Sequence, residues 1–164
     1  MLPVAGLTIV YWKLCHDWLV ALGDSSSSSR SIMLWLGLIS SLALILYTTF
    51  LGSDGDGYRY LRRFGTVIYF GFTYLAQVLL AARINSLLPQ HPNLQNIVRL
   101  KLAMCGLILA GGLLLAATAN LFEDDDAIQN IAEWNVATMM TFYPFLTWLL
   151  WRRSNFEVRF SVRH

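Results

Sequence analysis

Five long apolar stretches alternate with short polar ones along this chain. The last sets the pattern: after Glu133 no charge occurs until Arg152. At a rise of ~1.5 Å per residue, the eighteen residues from Trp134 to Trp151 cover roughly 27 Å, close to the thickness of a hydrocarbon core. Residues 32–51, 65–82 and 102–121 are likewise uncharged, whereas residues 2–22 are interrupted by Lys13, His16 and Asp17. The pattern predicts an all-α, polytopic transmembrane helix bundle. Four spans come from the uninterrupted stretches, at 32–51, 65–82, 102–121 and 134–151, and an N-terminal fifth from 2–22.

The interrupted stretch has two placements, a span packed in the bundle or an amphipathic helix lying at the interface. The span is the reading favoured here. Lys13 and Asp17, four apart, share a helix face and can pair. Buried charges need a protein or water surface to face. A basic start and a small-residue cleavage site are both missing, so a cleaved signal peptide does not fit.

Between the spans, residues 23–31 with their five serines read as a flexible polar linker, too short and plain to hold a site. Residues 52–57 (Gly-Ser-Asp-Gly-Asp-Gly) have turn chemistry. Asp54 and Asp56 hint at a calcium loop, but the later ligand spacing and terminal Glu are missing, so no metal is expected. Gly37, Ser40 and Ser41 offer a close-packing face, as do Gly106, Ala110, Gly111, Gly112, Ala116 and Ala117. Gln77 is the one strongly polar residue inside the third span. Pro144 removes a backbone hydrogen bond in mid-span and predicts a kink.

Composition agrees: 56% of the 164 residues are hydrophobic and 13% charged, against about a quarter charged in soluble domains. Only Cys15 and Cys105 occur, both in apolar stretches, which reads as two small buried residues. No basic, solvated segment interleaved with aromatics is present, so no nucleic-acid partner is expected.

If all five stretches span, one face receives the serine linker, the loop from Arg83 to Lys101 and the tail 152–164. That face holds Arg30, Arg83, Arg99, Lys101, Arg152, Arg153, Arg159 and Arg163, eight basic residues against Arg59, Arg62 and Arg63 opposite. Most of the acids (Asp54, Asp56, Glu123, Asp124, Asp125, Asp126, Glu133) lie with those three. The imbalance places the C-terminus in the cytosol, or on the matrix or stromal side in an organelle.

Two groups are candidate lipid contacts. Arg59, Arg62 and Arg63 start the third span, and Glu133, Trp134 and Asn135 start the last on the same face. Together they could form a polar mouth for a headgroup phosphate; the plainer alternative is an interfacial aromatic belt. Arg152, Arg153, Arg159 and Arg163 suit contact with an anionic cytosolic leaflet, or an ordinary positive-inside flank. No nucleophile elbow, zinc-protease motif or phosphate loop appears. His16, His91 and His164 are scattered. No catalytic residue, metal or cofactor is assigned.

The order of motifs resembles the FGF-receptor-activating / DRAM / Sfk family, which includes the post-GPI-attachment factors. The resemblance lies in Leu2-Pro3 with Tyr11-Trp12, in the Leu36-led Leu-Gly-Leu-Ile-Ser-Ser run, in Arg63-Phe-Gly-Thr-Val-Ile-Tyr-Phe-Gly-Phe, and in Ala132-Glu133-Trp134 opening the last helix. Against that pattern the chain lacks a first span with its lumenal loop, and has Arg62 where the family often has a histidine near the Phe-Gly step. The resemblance implies a non-enzymatic protein of the endomembrane system, tied to lipid handling, GPI-anchor maturation or membrane organisation, with membrane lipids as partners. The alternative is a small accessory subunit of a larger complex, respiratory or photosynthetic for example, in an organelle inner membrane.

Overall fold

The computed structural model describes residues 2–49, 55–118 and 125–157, with side chains described except at positions 2, 62, 114–118, 125–134 and 137. Five α-helices form it: α1 (Leu2–Ala21), α2 (Ser27–Thr49), α3 (Asp56–Leu87), α4 (Gln95–Thr118) and α5 (Asp125–Arg153), with a 3-10 turn at Pro92–Leu94 before α4. No strand occurs among the described residues.

Large apolar side chains point outward. Along α2, Ile32, Trp35, Ile39 and Leu42 form one exposed stripe, while Met33, Gly37, Ser40, Ser41, Ala43 and Leu44 face inward. Ser40 and Ser41 both donate to the Gly37 carbonyl, so neither hydroxyl needs an interhelical partner. In water this helix would expose its costliest surface; in hydrocarbon the arrangement costs nothing and small residues let helices approach. Gly37 receives the Trp12 indole of α1 so closely that an added Cβ would sit 2.2 Å from a ring carbon. Gly65 of α3 meets the α2 backbone in the same way, at the Ala43 carbonyl and Tyr47 amide. The α2–α3 hairpin is accordingly the most extensive helix pair.

Among the described residues, three segments are long and apolar enough to cross a membrane: Ser27–Thr49, Asp56–Leu87 and Pro92–Leu113. α1 and α5 are not among them. Lys13, His16 and Asp17 dilute α1, and Asn135, Thr138, Thr141, Pro144 and Thr147 dilute α5. The Lys13–Asp17 pair forms at 2.6 Å, with His16 Nδ1 also 3.1 Å from the carboxylate. Its members lie on the outward side of α1 rather than packed into the bundle: they neutralise each other instead of facing protein.

Helix ends account for the other differences from the sequence pattern. α3 begins at Asp56, so Tyr58–Phe64 is helical rather than a loop, and its 32 residues extend about 48 Å. α5 begins at Asp125, well before Glu133. α2 begins within the serine run, which leaves only residues 22–26 between helices. That short turn is ordered. Gly23 takes φ +82°, and the Gly23 and Asp24 amides donate to the Val20 and Leu19 carbonyls. This is a Schellman stop, which needs a left-handed residue. α5 ends alike: Asn155 takes φ 52°, Phe156 N–H donates to the Trp151 carbonyl, and the Phe156 ring rests 6.0 Å from that of Trp151.

The α1–α2 turn, the α3–α4 connection and the end of α5 share one end of the bundle. His91 Nε2 lies 3.4 Å from the Leu22 carbonyl, Asn93 donates to the Arg153 carbonyl, and Trp18 Nε1 donates to Ser154 Oγ. The main apolar core (Trp12, Trp18, Leu19, Leu80, Ile84, Leu146, Leu150) lies toward this end. The glycines of α4 behave differently from the pattern expected of them. Gly106, Gly111 and Gly112 are exposed, and a Cβ there would meet nothing within 4 Å among the described residues.

These surroundings predict opposite outcomes for two similar substitutions. Gly37→Ala should destabilise the detergent-solubilised protein by about 1–3 kcal/mol through collision with Trp12, whereas Gly111→Ala should leave its thermal midpoint within error. Equal midpoints would show that the α1–α2 contact is looser than described.

Candidate functional site

Polar residues gather in two places near the shared end. The outer one centres on Asp24, held there by the Schellman turn that ends α1. Its side chain is 0% exposed. Arg83, near the end of α3, forks onto it, with Nε donating to Oδ2 at 3.2 Å and Nη2 to Oδ1. The Ser26 amide donates to Oδ1 as well, at 3.1 Å, which fixes the entry into α2. Arg30, in the first turn of α2, donates through Nη1 to the Asp24 backbone carbonyl, and the same nitrogen lies 3.9 Å from Oδ2. Arg30 Nε is buried and finds no partner.

Burial alone would raise the Asp24 pKa. The Arg83 and Ser26 hydrogen bonds and the charges of Arg83 and Arg30 outweigh it, so the carboxyl is held below its ordinary value. Two guanidinium groups against one carboxylate leave the cluster with one positive charge over.

The inner group surrounds Lys101, six residues into α4 and therefore about 9 Å below the shared end. It is fully buried. Its ammonium donates to Thr147 Oγ1 and lies 4.0 Å from the Tyr143 ring centroid. Tyr11 OH is 2.8 Å from the same threonine oxygen. Tyr143 OH donates to the Gln77 carbonyl and lies 3.4 Å from Cys105 Sγ. No carboxylate among the described residues pairs with Lys101. Thr73 Oγ1 and Gln77 Oε1, four apart on α3, are buried without a partner. The result is a cationic, hydroxyl-lined interior joining α1, α3, α4 and α5. Such a group can hold an anion or a proton; a metal cannot use it, since the ligand set is cationic and neutral. Among the described residues no His/Cys/Asp/Glu group could hold a metal ion.

The residues singled out from sequence occupy other places. Arg59 and Arg63 are exposed in the first turns of α3, Arg59 lying 3.8 Å from Asp56. The Arg62 side chain, and those of Glu133 and Trp134, lie outside the described side chains. Asn135 is exposed on α5. α3 and α5 start at the same end, opposite the shared one; Arg59 and Arg63 lie in the first two turns of α3, whereas Asn135 lies about 15 Å into α5. Arg152 and Arg153 are exposed in the last turn of α5, the Arg152 guanidinium 5.8 Å from the Trp148 ring; Arg159 and Arg163 fall outside the described residues.

Sequence reasoning missed Asp24 and misread Lys101. Asp24 was hidden in a linker read as featureless, although Gly-Asp-Ser ahead of a helix is cap chemistry. Lys101 counted as a flanking charge, but α4 starts six residues earlier and carries it inside. The two cysteines are free and buried, as their apolar setting implied.

A family model described as the Frag1/DRAM/Sfk1/Cwh43P N-terminal domain matches residues 1–150. No curated protein and no solved structure matches the chain.

Removing one partner from the Asp24 cluster strands a buried charge, so Arg83→Gln should cost about 3 kcal/mol in unfolding experiments in detergent. The pH dependence carries a sign. A carboxyl whose folded pKa is depressed contributes its stabilisation above the unfolded value of roughly 4, and loses it as pH falls through the folded one. Wild type should therefore lose stability below about pH 4 more steeply than Asp24→Asn; parallel curves would contradict the ion cluster.

Lys101→Met removes an unpaired buried cation while keeping volume, so the thermal midpoint should hold or rise. A fall of more than about 2 kcal/mol would mean that the contacts to Thr147 and Tyr143 hold the fold.

Proposed function

The chain belongs to the Frag1/DRAM/Sfk1/Cwh43P N-terminal domain family, and from that premise we propose a non-enzymatic integral membrane protein that works by holding lipid. In this reading it serves lipid or GPI-anchor handling, or membrane organisation, in the endomembrane system. All five helices cross the bilayer. The short turns of α1–α2 and α3–α4 and the end of α5 face the cytosol.

The observation that supports it best is the distribution of surface. The Ile32–Trp35–Ile39–Leu42 stripe of α2 and Leu107, Leu109 and Leu113 of α4 leave large apolar side chains on the outside, while Ser40, Ser41, Thr73, Gln77, Lys101 and Thr147 are buried among the apolar core. Arg30, Arg83, Arg99, Arg152 and Arg153 gather at the shared end, as the positive-inside rule asks of a cytosolic face. At the opposite end the first turns of α3 expose Tyr58, Tyr60, Leu61 and Phe64 beside Arg59 and Arg63, a mixture suited to headgroup depth.

A second reading, a small accessory subunit of a larger membrane assembly, is favoured by one observation. The α4 face with Gly106, Gly111 and Gly112 has no neighbour within 4 Å among the described residues, and such faces let another helix come close.

Two measurements on protein from its native membrane test these readings. Native mass spectrometry should find a monomer or small homo-oligomer retaining anionic phospholipid, with retention lowered several-fold by combined Arg59→Ala and Arg63→Ala. Co-purification with a fixed set of other chains, and no retained lipid, would replace the first reading with the second.

A further inference from the structure

We infer that Arg30 and Arg83, held around Asp24 at the shared end of the bundle, bind the phosphodiester of an anionic phospholipid from the adjoining leaflet. This deepens the lipid-holding reading and rests on it, and it concerns the end of the molecule opposite Arg59 and Arg63.

The charge comes first. Asp24 neutralises one guanidinium, through the two-point fork from Arg83. Arg30 gives that carboxylate only a distant contact at 3.9 Å and spends its close hydrogen bond on a neutral backbone carbonyl. One positive charge is left over, and the orphaned Nε shows that the Arg30 guanidinium is not saturated by protein. A buried donor without an acceptor calls for one, and an anion is among the groups that can supply it.

Position comes second. The Arg30 and Arg83 side chains are 13% and 24% exposed, so both stay partly open to the surroundings beside the sealed carboxylate. Arg30 sits in the first turn of a 23-residue helix, whose N-terminal amides and dipole add to the field. Ser25, Ser27 and Ser28 are exposed beside it and supply hydroxyls. One turn further into the bilayer, the exposed side chains become apolar: Ile32 and Trp35 on α2, Val20 on the last turn of α1. An ammonium-free headgroup above and hydrocarbon below is what this gradient suits.

Stoichiometry selects the ligand class. One surplus charge matches a phosphodiester, which carries a single negative charge. A zwitterionic phospholipid would bring its own cation to an already cationic patch. Asp24 therefore has two roles, holding Arg83 in place and setting the surplus at one.

The test uses the full chain in nanodiscs of phosphatidylcholine with a minor fraction of phosphatidylglycerol, whose headgroup is a phosphodiester without an ammonium. Native mass spectrometry after mild delipidation reads the lipid retained. Wild type should keep phosphatidylglycerol over phosphatidylcholine, and Arg30→Gln should lower that preference at least fivefold. Arg99→Gln removes an equal charge from the same end outside the cluster, and should lower it less than twofold.

Asp24→Asn adds to the separation. It raises the surplus to two, so folded protein should increase its preference for phosphatidylglycerol, whereas a merely structural ion cluster would give no gain. Where that variant does not fold, Arg30→Lys, which keeps the charge, should retain most of the preference. Equal losses for Arg30→Gln and Arg99→Gln would overturn the site while leaving a lipid-holding protein. No preference in the wild type would instead remove the lipid reading at this face. Competition by inorganic phosphate at millimolar concentration, with no effect of the lipid, would assign the cluster to free phosphate and overturn the lipid site.

Discussion

The structure depends on which medium touches the outside of the helices. Trp35, Leu42, Val67, Leu107 and Leu113 are large, apolar and exposed, while Ser40, Ser41, Thr73, Gln77, Lys101 and Thr147 lie inside among the apolar core. Against water, these outward side chains would remain as exposed apolar surface that closing the bundle does not bury. Against hydrocarbon, closing depends on small residues that let helices touch and on polar groups that find each other. Gly37 under Trp12 and Gly65 against the α2 backbone are the first kind. Tyr11, Thr147 and Tyr143 around Lys101 are the second.

At the shared end these constraints combine. α1 has to reverse into α2 within five residues, so it ends on Gly23 in a left-handed conformation. That turn delivers Asp24 into the interface with α3, where a bare carboxylate would be intolerable. Arg83 supplies the counter-charge, and Arg30 overshoots it. The α1–α2 turn is therefore tied to α3 by a charge pair, while His91 and Asn93 tie the α3–α4 connection to α1 and α5. One end of the bundle is thus rigid, basic and stitched from three separate segments.

Much of this was legible in the sequence. The three segments apolar and long enough to cross a membrane, Ser27–Thr49, Asp56–Leu87 and Pro92–Leu113, are built on the uncharged runs 32–51, 65–82 and 102–121, because length and hydropathy are properties of sequence alone. Gly37, Ser40 and Ser41 also lie on the packed face that their spacing suggested. The family was legible from the order of its motifs. Other features depend on three-dimensional register. Whether the glycines of α4 meet a neighbour is decided by rotation of the helix, and among the described residues they do not. Lys101 reads as a flank until the start of α4 is known. Asp24 reads as linker until Arg83, 59 residues away in sequence, is seen beside it.

The account stands on hydrocarbon solvating the outward stripes. Its most direct measurement is the collision rate of spin labels at positions 42 and 107, in protein reconstituted into bilayers, with oxygen and with a water-soluble nickel chelate. Hydrocarbon solvation predicts fast collisions with oxygen and almost none with the chelate at both positions. The reverse order at either one would mean that water or protein covers that face, and would contradict the reading from which the rest follows.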